Sequence, residues 1–321
     1  ARALLRRLRR RARRPQLLVM SATMDPRPVA AFLDGAPVIA LGETRYDLDI
    51  TYEEKIDRRP LEERVAGAVL GLFRSGLEGD VLVFLPGAAE IRRAAAALGP
   101  AAGRLGFRIQ PLHGDLPAGE QALALQPGGA PRVILSTNVA ETSITIPGIG
   151  AVVDSGLARV SAHSAWSGRP TLTTAKIARS SAVQRAGRAG RTRSGRVVRL
   201  YTRHDFHARP DADPPEIRRA DLAEALLALH GAGIRDAGAF PWFEPPPQAA
   251  LDAARRLLAR LGAVDPSGEI TAAGRRMLRF PVHPRIARMI VEGEALGVGR
   301  DAALLAALLG KRDIRLDARA G

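Results

Sequence analysis

The sequence predicts an α/β chain, with a parallel sheet covered by helices on both faces, followed by a smaller and mostly helical part. Three observations predict it. Short continuous apolar runs alternate with stretches of helical period, as strands buried on both faces do. Polar, glycine-bearing motifs follow the ends of those runs, where ligands bind in open parallel sheets. Beyond about residue 206 the alternation stops and amphipathic helices take over.

The chain opens in an arginine-rich amphipathic segment with Leu4, Leu5 and Leu8 on one side. Residues 17–20 read as a buried strand ending in the polar loop Ser21-Ala22-Thr23-Met24-Asp25, and a short helix is expected near 28–33. Residues 38–41 and 49–52 read as strands of a connector. Helical period over 61–73 leads to the apolar run 80–85, then Pro86-Gly87 and a helix over 88–98. Strand 108–112 stops at His113-Gly114-Asp115, helix 119–125 follows, and 131–137 and 151–154 are two more buried strands. A helix over 180–187 and a strand over 195–201 complete the α/β part. Then come an amphipathic helix over 216–230, a rigid proline-rich loop over 241–247 and a second helix over 248–261. Turn chemistry over 262–271 (Asp265-Pro266, Ser267-Gly268) separates short apolar pieces, so helices followed by a small hairpin suggest a winged-helix module. Residues 284–296 and 300–309 begin another helical unit.

The most informative stretch is Ser181-Ala182-Val183-Gln184-Arg185-Ala186-Gly187-Arg188-Ala189-Gly190-Arg191, in which three arginines recur every third residue with glycines between them. Arginine grips phosphate in bidentate fashion, and glycine lets backbone approach a ligand closely. By itself the stretch also reads as an arginine-rich turn on a basic surface. The net charge of +15 favours a polyanionic partner. Because only Lys55, Lys176 and Lys311 are lysines, part of that charge reflects a bias toward Arg, Ala, Gly and Leu. With no cysteine there is no disulfide framework and no thiolate metal site, which fits a cytoplasmic setting. No apolar run approaches the ~20 residues that span a bilayer, and no membrane partner or targeting signal is read.

Four segments agree with the arginine comb. They are Ser21-Ala22-Thr23, then Val83-Phe84-Leu85-Pro86-Gly87, then Pro111-Leu112-His113-Gly114-Asp115, then Ser136-Thr137-Asn138-Val139-Ala140-Glu141-Thr142-Ser143 running on to Gly148. In order and spacing they resemble the DEAH-box branch of superfamily 2 helicases, from motif III through motif VI, over nearly the whole chain. Glu141-Thr142-Ser143 and Gln184-Arg185-Ala186-Gly187 favour that branch over its DEAD-box relatives. The later runs Phe280-Pro281-Val282-His283-Pro284-Arg285 and Leu304-Leu305-Ala306-Ala307-Leu308-Leu309 resemble its bacterial members.

The resemblance implies an ATP-dependent helicase acting on single-stranded RNA, DNA or both, with 3′ to 5′ translocation. It implies a tail of a first RecA-like domain over 1–41, a second RecA-like domain over 42–205, a winged helix over 206–280 and the start of a helical ratchet domain over 281–321. Arg188 and Arg191 would be arginine fingers at the γ-phosphate, and Gln184 would hold the attacking water or that phosphate. Thr145 would lie near the ribose, Gly87, Thr137 and Asn138 would touch the nucleic-acid backbone, and Ser21 and Thr23 would couple nucleotide state to domain movement. His113 is read as a turn residue, and Trp166 and Trp242 as packing residues. Pro147 stands where some relatives carry an acid for ribose, and Leu125 about where some stack a Phe on adenine. Both changes imply tolerance toward other nucleoside triphosphates.

No Gly-x-x-x-x-Gly-Lys-Ser/Thr and no Asp-Glu-x-His occurs in the chain. In the family those elements hold the phosphates and Mg²⁺ and precede motif III. The expectation is therefore a fragment of a longer reading frame whose Mg²⁺ ligands lie in the missing first RecA-like domain, and which hydrolyses no ATP alone. The alternative is a non-catalytic nucleic-acid-binding protein derived from this half of a helicase.

Overall fold

The computed structural model describes residues 17–21, 24–40, 46–126, 129–142, 145–163, 170–191 and 193–310. After a short helix α1 (Pro26–Phe32), six strands form one sheet: β1 (Leu48–Glu53), β2 (Asp80–Phe84), β3 (Arg108–Leu112), β4 (Arg132–Ser136), β5 (Ile149–Asp154) and β8 (Gly195–Thr202). Their order is β1-β8-β5-β2-β4-β3, and every pairing is parallel. Strands β6 (Leu157–His163) and β7 (Pro170–Lys176) form a separate antiparallel ribbon between β5 and β8.

Alternation along the central strands feeds two cores. Val81, Val83, Val133, Leu135, Ala151 and Val153 face α2 (Leu61–Arg74) and α3 (Ala88–Leu105). Leu82, Phe84, Ile134 and Val152 face the other way, toward Ala124 of α4 (Ala118–Leu125), Ala140 of α5 (Val139–Thr142) and Ala186 of α6 (Arg179–Ala186). The sheet is thus covered on both faces, as its continuous apolar strands require. Helix α3 continues through Gly99-Pro100 to Leu105, past its predicted end, because Leu98 and Ala101 both reach the core.

Helix α7 (Arg203–His207) leads into the helical half, built from α8 (Ala223–Gly231), α9 (Gln248–Arg260), α10 (Ala272–Met277), α11 (Pro284–Ala295) and α12 (Gly299–Gly310). Leu226, Leu258, Met277 and Ala287 bring the first four of these onto one apolar core. Between α9 and α10 the turn residues make a minimal wing. Val264 bridges Ile270, and the Asp265 carboxylate accepts from the N–H groups of Ser267 and Glu269, both at 2.9 Å. Trp242 packs edge-on against Phe240 with ring centres 4.7 Å apart and donates its indole N–H to the Ala237 carbonyl, the packing role expected of it.

Four expectations are corrected. Residues 17–20 form no strand, and Leu18 and Met20 are 78% and 83% exposed. Among the described residues no strand runs beside them, and an apolar run without ladder partners gains nothing from extended pairing. Residues 38–40 are likewise irregular and exposed. Residues 49–52 belong to β1, the sheet's edge strand beside β8, and not to a connector. The helix expected over 216–230 is a single 3₁₀ turn (Glu216–Arg218) and then α8. The Asp221 carboxylate accepts from the Ala223 N–H at 2.7 Å and starts the second helix afresh. The amphipathic segment around Leu4 to Leu8, Ala22, Thr23, Leu41, Ser143 and Trp166 lie outside the described residues.

Candidate nucleotide and nucleic-acid site

The carboxyl ends of β5, β2 and β4 lie side by side, linked by backbone bonds from Leu85 N–H to the Ser136 carbonyl (2.8 Å) and from Ser155 N–H to the Phe84 carbonyl (3.3 Å). Two loops of the sequence argument, Pro86-Gly87 and Thr137-Asn138, therefore share one edge with Asp154-Ser155-Gly156. Asn138 is exposed and Thr137 half-buried. Gly87 departs from the expectation of open backbone: it is buried at the start of α3, under the Arg159 guanidinium of β6. A Cβ on Gly87 would lie 2.7 Å from Arg159 Nε, so glycine is what lets that side chain settle there. His113 accepts the Leu116 N–H on its carbonyl, the turn role expected of it.

The arginine comb divides by environment. Arg185, on α6, is fully buried. Its Nε donates to Glu141 Oε2 and its Nη1 to Asp154 Oδ1, both at 2.9 Å, and Nη1 also reaches the Leu157 carbonyl at 3.2 Å. Burial works against its charge, but the carboxylates of Asp154 and Glu141 outweigh it, and its pKa lies above the ordinary arginine value. Ser181 donates to the second Glu141 oxygen at 2.5 Å, and the Tyr201 hydroxyl donates to Asp154 Oδ2 at 2.9 Å. Burial, and then the Asp154 charge, push the Tyr201 pKa well up, so the phenol stays a donor.

Past the helix the two remaining arginines differ: Arg188 is still buried and Arg191 is exposed. Arg188 is 8% exposed and donates from Nη2 to the Glu141 carbonyl. Burial, and then the charge of Arg191, lower its pKa. Arg191 is exposed, and its Nη1 donates to the Thr145 hydroxyl at 2.9 Å. Two guanidinium groups that repel each other, one buried and one exposed, favour an anion beside them. This donor set suits a polyphosphate. The structure brings Thr145, Arg188 and Arg191 to one place, with half-buried Gln184 on the preceding turn. Ser21, exposed, accepts the Met24 N–H at 3.1 Å just before α1. Leu125, the last residue of α4, packs against the core.

Sequence reasoning left Asp154, Tyr201 and Arg159 without roles. An Asp closing an otherwise apolar strand was the available signal for the first, since a buried carboxylate calls for a buried cation.

Known proteins resemble this chain over nearly its whole length. Residues 65–193 match the helicase conserved C-terminal domain, and residues 254–282 match the winged-helix helicase associated domain (HA2). The chain is 36% identical over 318 residues to the ATP-dependent RNA helicase HrpA of Escherichia coli K12, covering 94% of this chain and 24% of the relative. It is 35% identical to the HrpA homologue of Haemophilus influenzae, covering 96% of this chain and 24% of that one. Among solved structures, a DEAH/RHA helicase HrpB of Escherichia coli superposes with a TM-score of 0.83 at 33% identity, over 92% of this chain and 38% of that one. A second E. coli structure, titled DExH-box NTPase HrpB, gives 0.84 at 34% identity, over 98% of this chain and 39% of its own. The chain thus spans about a quarter of the curated relatives' length.

The chain belongs to the DEAH-box helicases, a family of ATP-dependent enzymes, with a RecA-like sheet followed by a winged helix. Within that family it is HrpB-like. Among the described residues no helix is long and apolar enough to cross a membrane.

Proposed function

We propose that this chain is the C-terminal half of a cytoplasmic, ATP-dependent nucleic-acid helicase. It would couple NTP hydrolysis in the cleft between two RecA-like domains to 3′ to 5′ movement along a single strand of RNA, DNA or both. Its parts are a tail of the first RecA-like domain to about residue 41, the second RecA-like domain to about 205, a winged helix to about 280 and the start of a ratchet domain. The observation that carries this reading is the split of the comb. Arg185 is spent on buried carboxylates, while among the described residues Arg191 meets only a hydroxyl and stands exposed next to Arg188.

ATP with Mg²⁺ supplies the phosphoryl group and a divalent charge upon it, the metal's ligands lying on the first RecA-like domain. This chain's share is to hold the γ-phosphate oxygens with Arg188 and Arg191, to orient the attacking water with Gln184 and to neighbour the ribose with Thr145. Pro147 and Leu125 leave sugar and base loosely read, so other NTPs serve as well. Gly87, Thr137 and Asn138 hold the strand's backbone without reading its sequence. Ser21 and Thr23 relay nucleotide state between domains.

The test joins the chain to a preceding lobe that carries a P-loop and Asp-Glu-x-His, and measures ATPase with and without RNA and DNA. The joined protein is expected to hydrolyse ATP with stimulation by nucleic acid, and the 321-residue chain alone to hydrolyse none. Nucleic-acid binding by both forms with hydrolysis by neither would instead favour a non-catalytic binding protein.

A further inference from the structure

Outside the comb, a set of buried charged contacts lies where the sheet hands the chain over to the helical half. Arg209 follows α7 and is only 6% exposed. Its Nη1 donates to the Gly156 carbonyl at 2.9 Å and to the Ile177 carbonyl at 3.2 Å. Gly156 directly precedes β6 and Ile177 directly follows β7, so one guanidinium holds both roots of the ribbon. Its Nε and Nη2 donate to Asp205 at 3.1 and 2.6 Å. Its Cζ lies 3.9 Å from the centre of the Tyr201 ring, whose hydroxyl binds the same Asp154 that holds Arg185. Gly156 has φ +72°, and a Cβ there would lie 2.5 Å from Arg209 Nη2 and 2.6 Å from the Tyr201 ring. The niche admits the guanidinium only because residue 156 has no side chain.

The next two residues reach α6. That helix has no side-chain cap at its start, where Ala178 stands. Its first N–H groups are satisfied instead by the linker: Arg179 N–H donates to the Pro210 carbonyl and Ser180 N–H to the Asp211 carbonyl, both at 2.9 Å. Arg179 also pairs with the Asp211 carboxylate. The segment after the sheet therefore grips both roots of the ribbon and the start of the helix that leads to the arginine comb.

We propose that Arg209, with the backbone of residues 210–211, is a positioning clamp that makes α6 and the ribbon one rigid unit and so fixes where Gln184 and Arg188 stand. Arg209 is a positioning residue and touches no nucleotide. The role in turnover rests on the reading above that these residues serve an NTP; the clamp itself does not. Only arginine suits the place: two carbonyls, one carboxylate and a ring face need a planar group with several donors, which a lysine ammonium lacks.

Two measurements separate the clamp from that reading. Hydrogen exchange on the 321-residue chain compares Arg209→Met with the parent. Exchange is expected to rise by about tenfold or more at residues 156–158 and 177–186 with β2 and β4 unchanged, since local opening is read element by element. No rise, or an equal rise across the sheet, would overturn the clamp. In the protein joined to a P-loop lobe, Arg209→Met is expected to lower kcat by about 10- to 100-fold, as a small misplacement of catalytic groups does, with KM for ATP and nucleic-acid affinity changed less than about twofold. Unchanged kcat alongside raised exchange would overturn the positioning role. If Arg209→Met fails to fold, Arg209→Lys, which keeps the charge but reaches only one of the two carbonyls, is expected to show both effects more weakly, and parent-like behaviour would overturn the proposal. If the unsubstituted joined protein shows no ATPase at all, the nucleotide reading fails while the exchange result still judges the clamp.

Discussion

Two arginines of one eleven-residue motif contrast sharply. Arg185 is sealed beneath the sheet's edge between Glu141 and Asp154, with its face over the Phe84 ring. At its end, Arg191 lies open to solvent and, among the described residues, bonds only the Thr145 hydroxyl. Both are arginines, three residues either side of Arg188, yet the strand ends beside them assign different work. Where β5 and α5 supply carboxylates, arginine becomes a staple; where they supply none, it stays available to an outside anion. A buried ion pair adds little net stability but is costly to break on one side.

Substitutions break this contrast in order of size. In the protein joined to a P-loop lobe, Arg188→Ala is expected to lower kcat by about 10³–10⁵, the range for an arginine finger, with nucleic-acid affinity retained. Loss of nucleic-acid binding with intact turnover would reassign that residue. Arg185→Ala leaves Glu141 and Asp154 buried without their cation, and urea unfolding of the chain is expected to show a loss of about 3–5 kcal/mol. An unfolding midpoint equal to the parent's would mean that the buried pair is not a staple. The smallest effect lies in the helical half, where burial holds the pKa of His230 below its ordinary 6.5. Below pH 6.5 the unfolded chain takes up a proton that the folded one refuses, so stability is expected to fall as the pH drops through that window. His230→Gln should flatten that slope and leave the comb untouched. A slope unchanged by His230→Gln would assign the acid sensitivity to other groups.

Much of this was legible in the sequence because strands buried on both faces announce themselves: 80–84, 132–136 and 149–154 are nearly unbroken apolar runs, each followed by its polar loop. Two kinds of feature were not. Residues 17–20 are as apolar as β2 but exposed, because a strand depends on neighbours that no local pattern encodes. The ribbon of 157–163 and 170–176 was missed because its pairing is a contact between segments. Among the site residues the comb was visible as a pattern, but the inward turn of Arg185 was not. Its partners Glu141 and Asp154 lie 44 and 31 residues away, and only the fold brings them together.

The most direct measurement is arginine-selective dicarbonyl labelling, read residue by residue by mass spectrometry, of the protein joined to a P-loop lobe, with and without a non-hydrolysable ATP analogue. Arg191 is expected to label freely alone and to be protected when the analogue is bound, while Arg185 stays unlabelled throughout. Equal labelling of Arg191 in both states with the analogue shown to be bound, or ready labelling of Arg185 in the folded protein, would contradict the division of the comb on which the functional reading stands.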